Sequence, residues 1–385
     1  MKRSYKYFSV LMSFVLLFSA FPVFGLVGNA AEIVAGGECG DQGDNVTWTL
    51  DDEGLLIISG SGEMKDYVEH HSTPWEKERV LSVKIEYGVS RIGVSAFSDC
   101  SNLSSVSIGD SVTEISIHAF LNCRNLKEIH FPNSFTFIDM EAFSGCTGLQ
   151  KVVIPSAFIN DGAFSGCTGL KSIIIGDGVR VLCPGLAFCS CFNLEAVSLG
   201  KGLTDLEDYN IGAFTHLTGI TVDPDNSVYS SEDGILYNKD KTELLRYPGG
   251  RTTKSFIVPD SVNSIHYGAF LSDNLTEITI PSGVTSVGDY AFGYSQVTDP
   301  NDGRTRYEKM PGFLIHCYSD SAAYRYAVFN EIEYDLLDQP ADDPSPDSDD
   351  ASPVVLLFRN GIKLIRDIIQ YLISLVRFFQ TGKLS

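Results

Sequence analysis

Short runs of alternating apolar and polar residues recur along this chain, each opened by a leucine and closed by a turn. Leu126-Lys-Glu-Ile129-His-Phe131 shows the pattern, Leu-x-x-Φ-x-Φ with Φ apolar. A two-residue period predicts a strand with one face buried and the x residues outward. Gly, Pro, Asp and Ser then follow, as in Ile280-Pro281-Ser282-Gly283-Val284, and these break the strand and turn the chain. A Val-x-x-Ile or Val-x-x-Val segment leads on to Ala-Phe and the next unit.

The Ala-Phe dipeptide sets the register. Apart from Ala20-Phe21 and Ala157-Phe158, which stand outside the series, its Phe falls at 97, 120, 143, 164, 188, 214, 270 and 292, in steps of 23, 23, 21, 24, 26, 56 and 22 residues. Three residues after the first five comes Cys (Cys100, Cys123, Cys146, Cys167, Cys191), and three further on Leu (Leu103, Leu126, Leu149, Leu170, Leu194). One unit has too little apolar surface to bury alone, so the units must stack, and each Phe, Cys, Leu and Ile becomes a ladder. The expected fold class is a repeat solenoid, mainly β, with short parallel strands and irregular or short helical returns. The 56-residue step predicts a hairpin insertion near 223–250, where Gly234-Ile-Leu-Tyr237 and Glu243-Leu-Leu-Arg246 flank a polar loop. Upstream, Val46–Leu50 and Leu55–Ser59 flank Asp51–Gly54. They predict an N-terminal β-hairpin cap within 31–79, ahead of a solenoid over 80–336.

Several motifs together resemble the BspA-type leucine-rich-repeat surface proteins. They are Cys39-Gly40, Trp48-Thr-Leu50, Ile58-Ser59-Gly60-Ser61-Gly62, Pro74-Trp75, the Ala-Phe-x-x-Cys-x-x-Leu units, Ser230 to Tyr237, and His316 to Tyr324. The likeness covers about residues 36 to 336. It implies a bacterial, exported, surface-associated protein of leucine-rich-repeat fold, in a family where some members are adhesins and no catalytic residue set exists to transfer. The chain departs from the pattern at Ile154–Asn160, around Leu182–Gly185, and in the long polar stretch Tyr294–Met310.

The ends carry different information. Met1 to Lys6 is basic, an apolar run follows to about Val27, and small residues come at Gly28, Ala30 and Ala31, which reads as a signal peptide over 1–30. An uncleaved anchor is the other reading, and both export the chain. Residues 337–353 form an acidic Pro/Asp linker, an extended tether by composition. Residues 354–385 are dense in apolar residues, with Arg359, Lys363, Arg366, Gln370, Ser374 and Arg377 every three or four positions. That spacing predicts a separate C-terminal amphipathic helix with a cationic stripe. It could lie on an anionic membrane or envelope through 354–380, self-associate, dock on a partner, or serve as a spanning anchor.

Charge narrows the partners. The net charge is −21 although both ends are basic, so the body is strongly acidic. Such a body disfavours nucleic acid, which needs a cationic footprint. Chemistry is sparse: there is no nucleophile elbow, zinc-protease helix or phosphate loop, so no enzyme activity and no cofactor or metal are expected. The five ladder cysteines read as small core residues, while Cys39, Cys183, Cys189 and Cys317 stand outside the ladder and could hold one disulfide or none. His70-His71 read as loop residues, and Asp223–Asn226 and Asp299–Gly303 as turns. The outward x positions remain as binding candidates: Lys127, Glu128, His130, Gln150, Lys151, Lys171 and Glu195. Their three lysines predict a small basic patch for an acidic extracellular protein or polysaccharide, against the plain alternative of a solvated strand face. An alternative function is a membrane-active or self-assembling secreted protein, with the C-terminal helix as effector and the solenoid targeting it.

Overall fold

The computed structural model of the chain describes residues 31–68, 73–182, 187–206, 216–272, 274–298 and 305–338. The signal segment, residues 339–353 of the acidic linker and the 354–385 tail lie outside these residues, as do His70, His71, Cys183, Phe214 and the turn at 299–303. Ten strands form the main sheet, in this order: Ile33–Gly40, Gly43–Asp51, Leu55–Gly60, Ser82–Ile85, Ser105–Ile108, Glu128–His130, Lys151–Ile154, Ser172–Ile175, Ala196–Leu199 and Gly219–Val222. The first three pair antiparallel, and from Leu55–Gly60 onward every pairing is parallel. Antiparallel strands join through tight turns, whereas parallel ones need a return across the molecule. The repeat unit is that return.

Inward positions are those the alternation marked. Val83, Val106, Ile129, Val152, Ile173, Val197 and Ile220 are buried in register, and so are the residues three before each, Val80 and then a leucine in every later turn. The returns of the main sheet are irregular, as expected, and contain no α-helix among the described residues. They are tight turns around very short strands, Gly62–Glu63, Val89–Ile92, Glu114–Ile115, Phe137–Ile138 and Phe158–Ile159, which make a second parallel sheet. Stacking at the strand spacing gives each return a backbone partner in the neighbouring turn, so it has no need of internal helical bonds. Among the described residues the helical elements are a single turn at Lys77–Arg79 and the helix Ala322–Asn330. Ser321 caps that helix by accepting from the Tyr324 N–H, and Glu331 ends it in a left-handed conformation at φ 53°.

Two ladders carry the core. Ring centroids from Trp75 through Phe97, Phe120, Phe143 and Phe164 to Phe188 are 5.1–5.5 Å apart, with interplanar angles of 3–20°. The spacing follows from the strand separation and lies within the range in which aromatic pairs attract. Beside it runs the cysteine ladder, buried throughout. Each thiol after Cys100 donates to the backbone carbonyl of the previous turn's Phe: Cys123 to Phe97, Cys146 to Phe120, Cys167 to Phe143 and Cys191 to Phe164, at 3.1–3.2 Å. Cysteine therefore fits this slot as a small apolar residue that also supplies a hydrogen-bond donor.

The main sheet stops at Gly219–Val222, where an antiparallel insertion of Tyr229–Glu232, Ile235–Asn238 and Glu243–Arg246 follows. Its middle strand is buried on both faces. Leu236 packs into the core before it, while Ile235 and Tyr237 pack into the core after it. Beyond the insertion the solenoid resumes as a parallel sheet of Ser255–Ile257, Glu277–Thr279, Leu314–Cys317 and Glu333–Leu336. Its returns are Ser264–Ile265 and Ser286–Val287, paired in parallel onto Glu243–Arg246. The polar stretch after Phe292 forms an antiparallel hairpin, Tyr294–Thr298 with Thr305–Lys309.

Candidate binding surface

The parallel register decides which outward side chains meet. Lys127, Gln150, Lys171 and Glu195 form one row across successive strands, each N–H bonded to the carbonyl of the one before, at 3.4, 2.9 and 2.8 Å. Glu128 and Lys151 face each other one row along, and Lys151 is flanked on its other side by Ser172. A third row carries His130, Val153 and Ile174, with Val153 41% exposed. All seven candidates are exposed and lie on one face.

They do not make the single cationic patch that the three lysines suggested. Lys171 Nζ lies 3.4 Å from a carboxylate oxygen of Glu195. Lys151 is in register with Glu128, and Lys127 and Lys171 are separated by the Gln150 strand, two strand spacings or roughly 10 Å apart. The surface is a mixed-charge field with a short apolar strip beside it. Exposed pairs of this kind add little stability, so the side chains are free to re-pair with a partner's charges.

Among the described residues, little is reactive. Burial pushes the Cys39, Cys100, Cys191 and Cys317 thiols up to about 12. The Cys146 thiol beside it, and then burial, raise Cys123 well above the ordinary thiol range, and burial does the same for Cys167. These groups stay protonated at neutral pH, and a thiol is a poor nucleophile or ligand in that form. The described cysteines are all free, Cys39, Cys189 and Cys317 included. Among the described residues no three His, Cys, Asp or Glu side chains converge as a metal would require. Asp223–Asn226 is a structural turn. Asn226 is fully buried, donates to the Gly200 and Leu203 carbonyls and accepts from the Val228 and Tyr229 N–H groups.

Sequence reasoning passed over several aromatic residues that matter. Trp75, Tyr247 and Tyr326 continue the ring ladder without the Ala-Phe signature. The Tyr247 N–H donates to the Ala269 carbonyl at 2.8 Å, as Phe97 does to Ala119, and its ring stacks on Phe270 at 5.1 Å. The signal was available as spacing, since Tyr247 lies 23 residues before Phe270 and Trp75 lies 22 before Phe97. A second group, Tyr267, Tyr290, Tyr294 and Tyr307, gathers away from the main-sheet face. No spacing marks it, because Tyr307 enters from the hairpin.

A family profile described as the BspA type leucine rich repeat region, in six copies, matches residues 75–186, 157–253 and 246–301. No curated protein matches the chain. Among solved structures, a leucine-rich repeat protein from Eubacterium ventriosum is similar at 24% identity, over 66% of this chain and 68% of its own, with a TM-score of 0.41. A leucine rich cell surface protein from Faecalibacterium prausnitzii is similar at 26% identity, over 64% of this chain and 72% of its own, with a TM-score of 0.45. For a leucine-rich repeat protein from Bacteroides ovatus the values are 19%, 76%, 98% and 0.40.

Proposed function

This chain belongs to the BspA-type leucine-rich repeat family, and we propose that it is an exported, surface-displayed binding protein that makes and breaks no bonds. The observation that carries this reading is the outward face of the main sheet. Its parallel strands hold continuous rows of solvent-facing side chains on a rigid backbone ladder. Solenoids use such extended faces for recognition. Lys127, Glu128, His130, Gln150, Lys151, Lys171 and Glu195 are the proposed contacts, and the partner is an extracellular protein or polysaccharide rather than nucleic acid. Export rests on the basic–apolar–small pattern of residues 1–30. Display rests on the acidic linker over 337–353 and the cationic, apolar tail, which contacts membrane or envelope through 354–380.

The test is to express the chain with and without residues 353–385, follow where each form settles, and measure capture by immobilised extracellular-matrix proteins and polysaccharides. Envelope retention of the full chain, release of the shortened form and capture of both by the same probe are expected. Release of both forms would sink the display reading. Capture unchanged by replacing Lys127, Lys151 and Lys171 with Ser would remove the proposed contacts.

A further inference from the structure

Tyr267 and Tyr290 stand in the turns before two successive Ala-Phe rungs, and Tyr307 reaches them from the inserted hairpin. The Tyr290 and Tyr307 rings are 4.8 Å apart at 32°. Tyr267 stands across both, at 6.0 and 6.1 Å with interplanar angles of 85° and 80°. Tyr294 closes the group, edge-on to Tyr290 at 5.0 Å. Tyr290 is 38% exposed, and Tyr267 and Tyr307 are half-buried. The rings therefore make an open corner on the surface.

Two independent features set this corner apart from ordinary packing. Tyr290 sits at φ 55°, in the left-handed position that earlier rungs fill with Ser95, His118, Glu141, Gly162 and Gly268. A bulky ring is disfavoured there, and such outliers concentrate where a site needs the side chain. Since Tyr290 is also exposed, core burial does not account for it. The second feature is a cavity of about 400 Å³ between the Ser286–Val287 return and the helix, lined in part by Asp289, Arg325, Phe329 and Asn330. Cavity and corner are neighbours. Asn330 Oδ1 accepts from the Tyr294 hydroxyl at 3.0 Å, and Asp289 immediately precedes Tyr290. Phe329 is 52% exposed at the cavity wall.

We propose that this corner and cavity bind a neutral oligosaccharide, a proposal that rests on the binding reading above but gives it a different place and a ligand class. A sugar ring has an apolar C–H face, which suits the electron-rich faces of Tyr290 and Tyr307. Its hydroxyls match planar side chains that present paired donors or acceptors, here the Asp289 carboxylate and the Arg325 guanidinium, while the Asn330 amide is held by Tyr294 and the Tyr326 carbonyl. One acid and one base at the cavity suit a ligand without net charge, and the acidic body repels polyanions. The cavity volume is at the lower end for small-ligand sites, enough for one or two sugar units with the chain continuing over the open rings.

The experiment is native affinity electrophoresis of the full chain in gels containing amylose, mixed-linkage β-glucan, mannan or galactan. Immobilised matrix proteins are probed in parallel. Retardation by at least one polysaccharide is expected, weakened about tenfold by Tyr290→Gly and by Tyr307→Ala, the loss of one stacked ring. Lys127→Ser, Lys151→Ser and Lys171→Ser together should leave it unchanged. Tyr290→Gly places the residue found at the same rung position in Gly162 and Gly268, so its melting temperature should match or exceed that of the parent. Failure of every polysaccharide to retard the parent chain overturns the sugar site, as does retardation indifferent to both tyrosine changes. If the parent ignores the sugars but is captured by matrix protein, the sugar site is lost while the broader binding reading stands. Loss of matrix-protein capture in the tyrosine variants alone would assign the corner to a protein partner instead.

Discussion

Before the insertion, the ring ladder from Trp75 to Phe188 keeps its planes within 3–20° of parallel, and cysteine thiols tie each turn to the last. After it, the ladder restarts at Tyr247 and loses its alignment: Phe270 and Phe292 meet at 70° and 6.4 Å, and Phe292 meets Tyr326 at 55°. The thiol donors are replaced there by a buried hydroxyl, Ser272, which donates to the Gly249 carbonyl at 3.0 Å. The first block spends its core side chains on neighbouring turns in a regular stack. The second accepts a hairpin and a helix into the stack, and these interruptions create a corner of rings and a cavity. Regular repeats supply a rigid face, and departures from the repeat supply shape.

The sharpest way to break this contrast is to remove a ring from the regular stack. Phe143→Ala should cost about 3–5 kcal/mol, because two parallel neighbours at 5.1 and 5.2 Å hold the space open. Tyr247→Phe, at the restart of the ladder, should cost about 0.5–1.5 kcal/mol for its lost hydroxyl bond to Thr253. Urea midpoints compare the two, and equal losses would show that the parallel stack confers no special sensitivity.

Next in size is the inter-turn donor. Cys146→Ala removes the thiol bond to Phe120 and leaves a small void, for an expected loss of about 1–2 kcal/mol. Ser272→Ala should cost about 1 kcal/mol if the hydroxyl does comparable work in the second block. A neutral Cys146→Ala would reduce the ladder thiols to space-fillers.

Alkali should then separate the blocks without mutation. Cys100 and Cys191 are raised from an ordinary 9.0 to about 12, with Cys123 and Cys167 also raised. The unfolded chain loses these protons first, so stability is whole below the unfolded value and falls as pH climbs from about 9 toward 12. The second block has Cys317 and the buried hydroxyls of Tyr237 and Tyr326 raised in the same way, against the first block's four thiols together with Cys39 and Tyr67. Hydrogen exchange across this range should show the first block opening more steeply, and parallel loss in both would contradict the ladder assignment. The smallest effect belongs to the outward face. Lys171→Ala should change stability by less than about 0.5 kcal/mol, since both its side chain and that of Glu195 are more than half exposed. A larger change, read by thermal melting, would mean that the face is part of the fold's support and not a surface available to a partner.

Much of this was legible in the residues. Alternation marked which strand positions face inward, and the Ala-Phe-x-x-Cys-x-x-Leu spacing marked the turns. The insertion showed as a gap in the count, though its first strand, Tyr229–Glu232, did not. Tyr247 and Tyr326 escaped notice, and Trp75 was marked as an entry motif but not as a rung, because a ladder position asks for a ring of the right reach, and a motif defined on one residue type overlooks its substitutes. The candidate face was legible as a set of seven exposed residues but not as a charge pattern. Lysines at similar places in successive repeats look alike in the chain, while the register puts Glu128 opposite Lys151 and Glu195 against Lys171.

By itself, the sequence determined that this chain must stack. A period near 23 residues, each with an apolar half-face too small to bury alone, admits few other solutions. Tertiary structure alone decided which side chains from different turns share a surface. The Tyr267, Tyr290 and Tyr307 corner joins residues up to 40 positions apart, and the open cavity exists only because the helix lies beside the Ser286–Val287 return. Local periodicity encodes burial, because burial depends on a residue's own strand. Surface recognition depends on the register between strands and on what each insertion carries in, and neither is written in any single repeat.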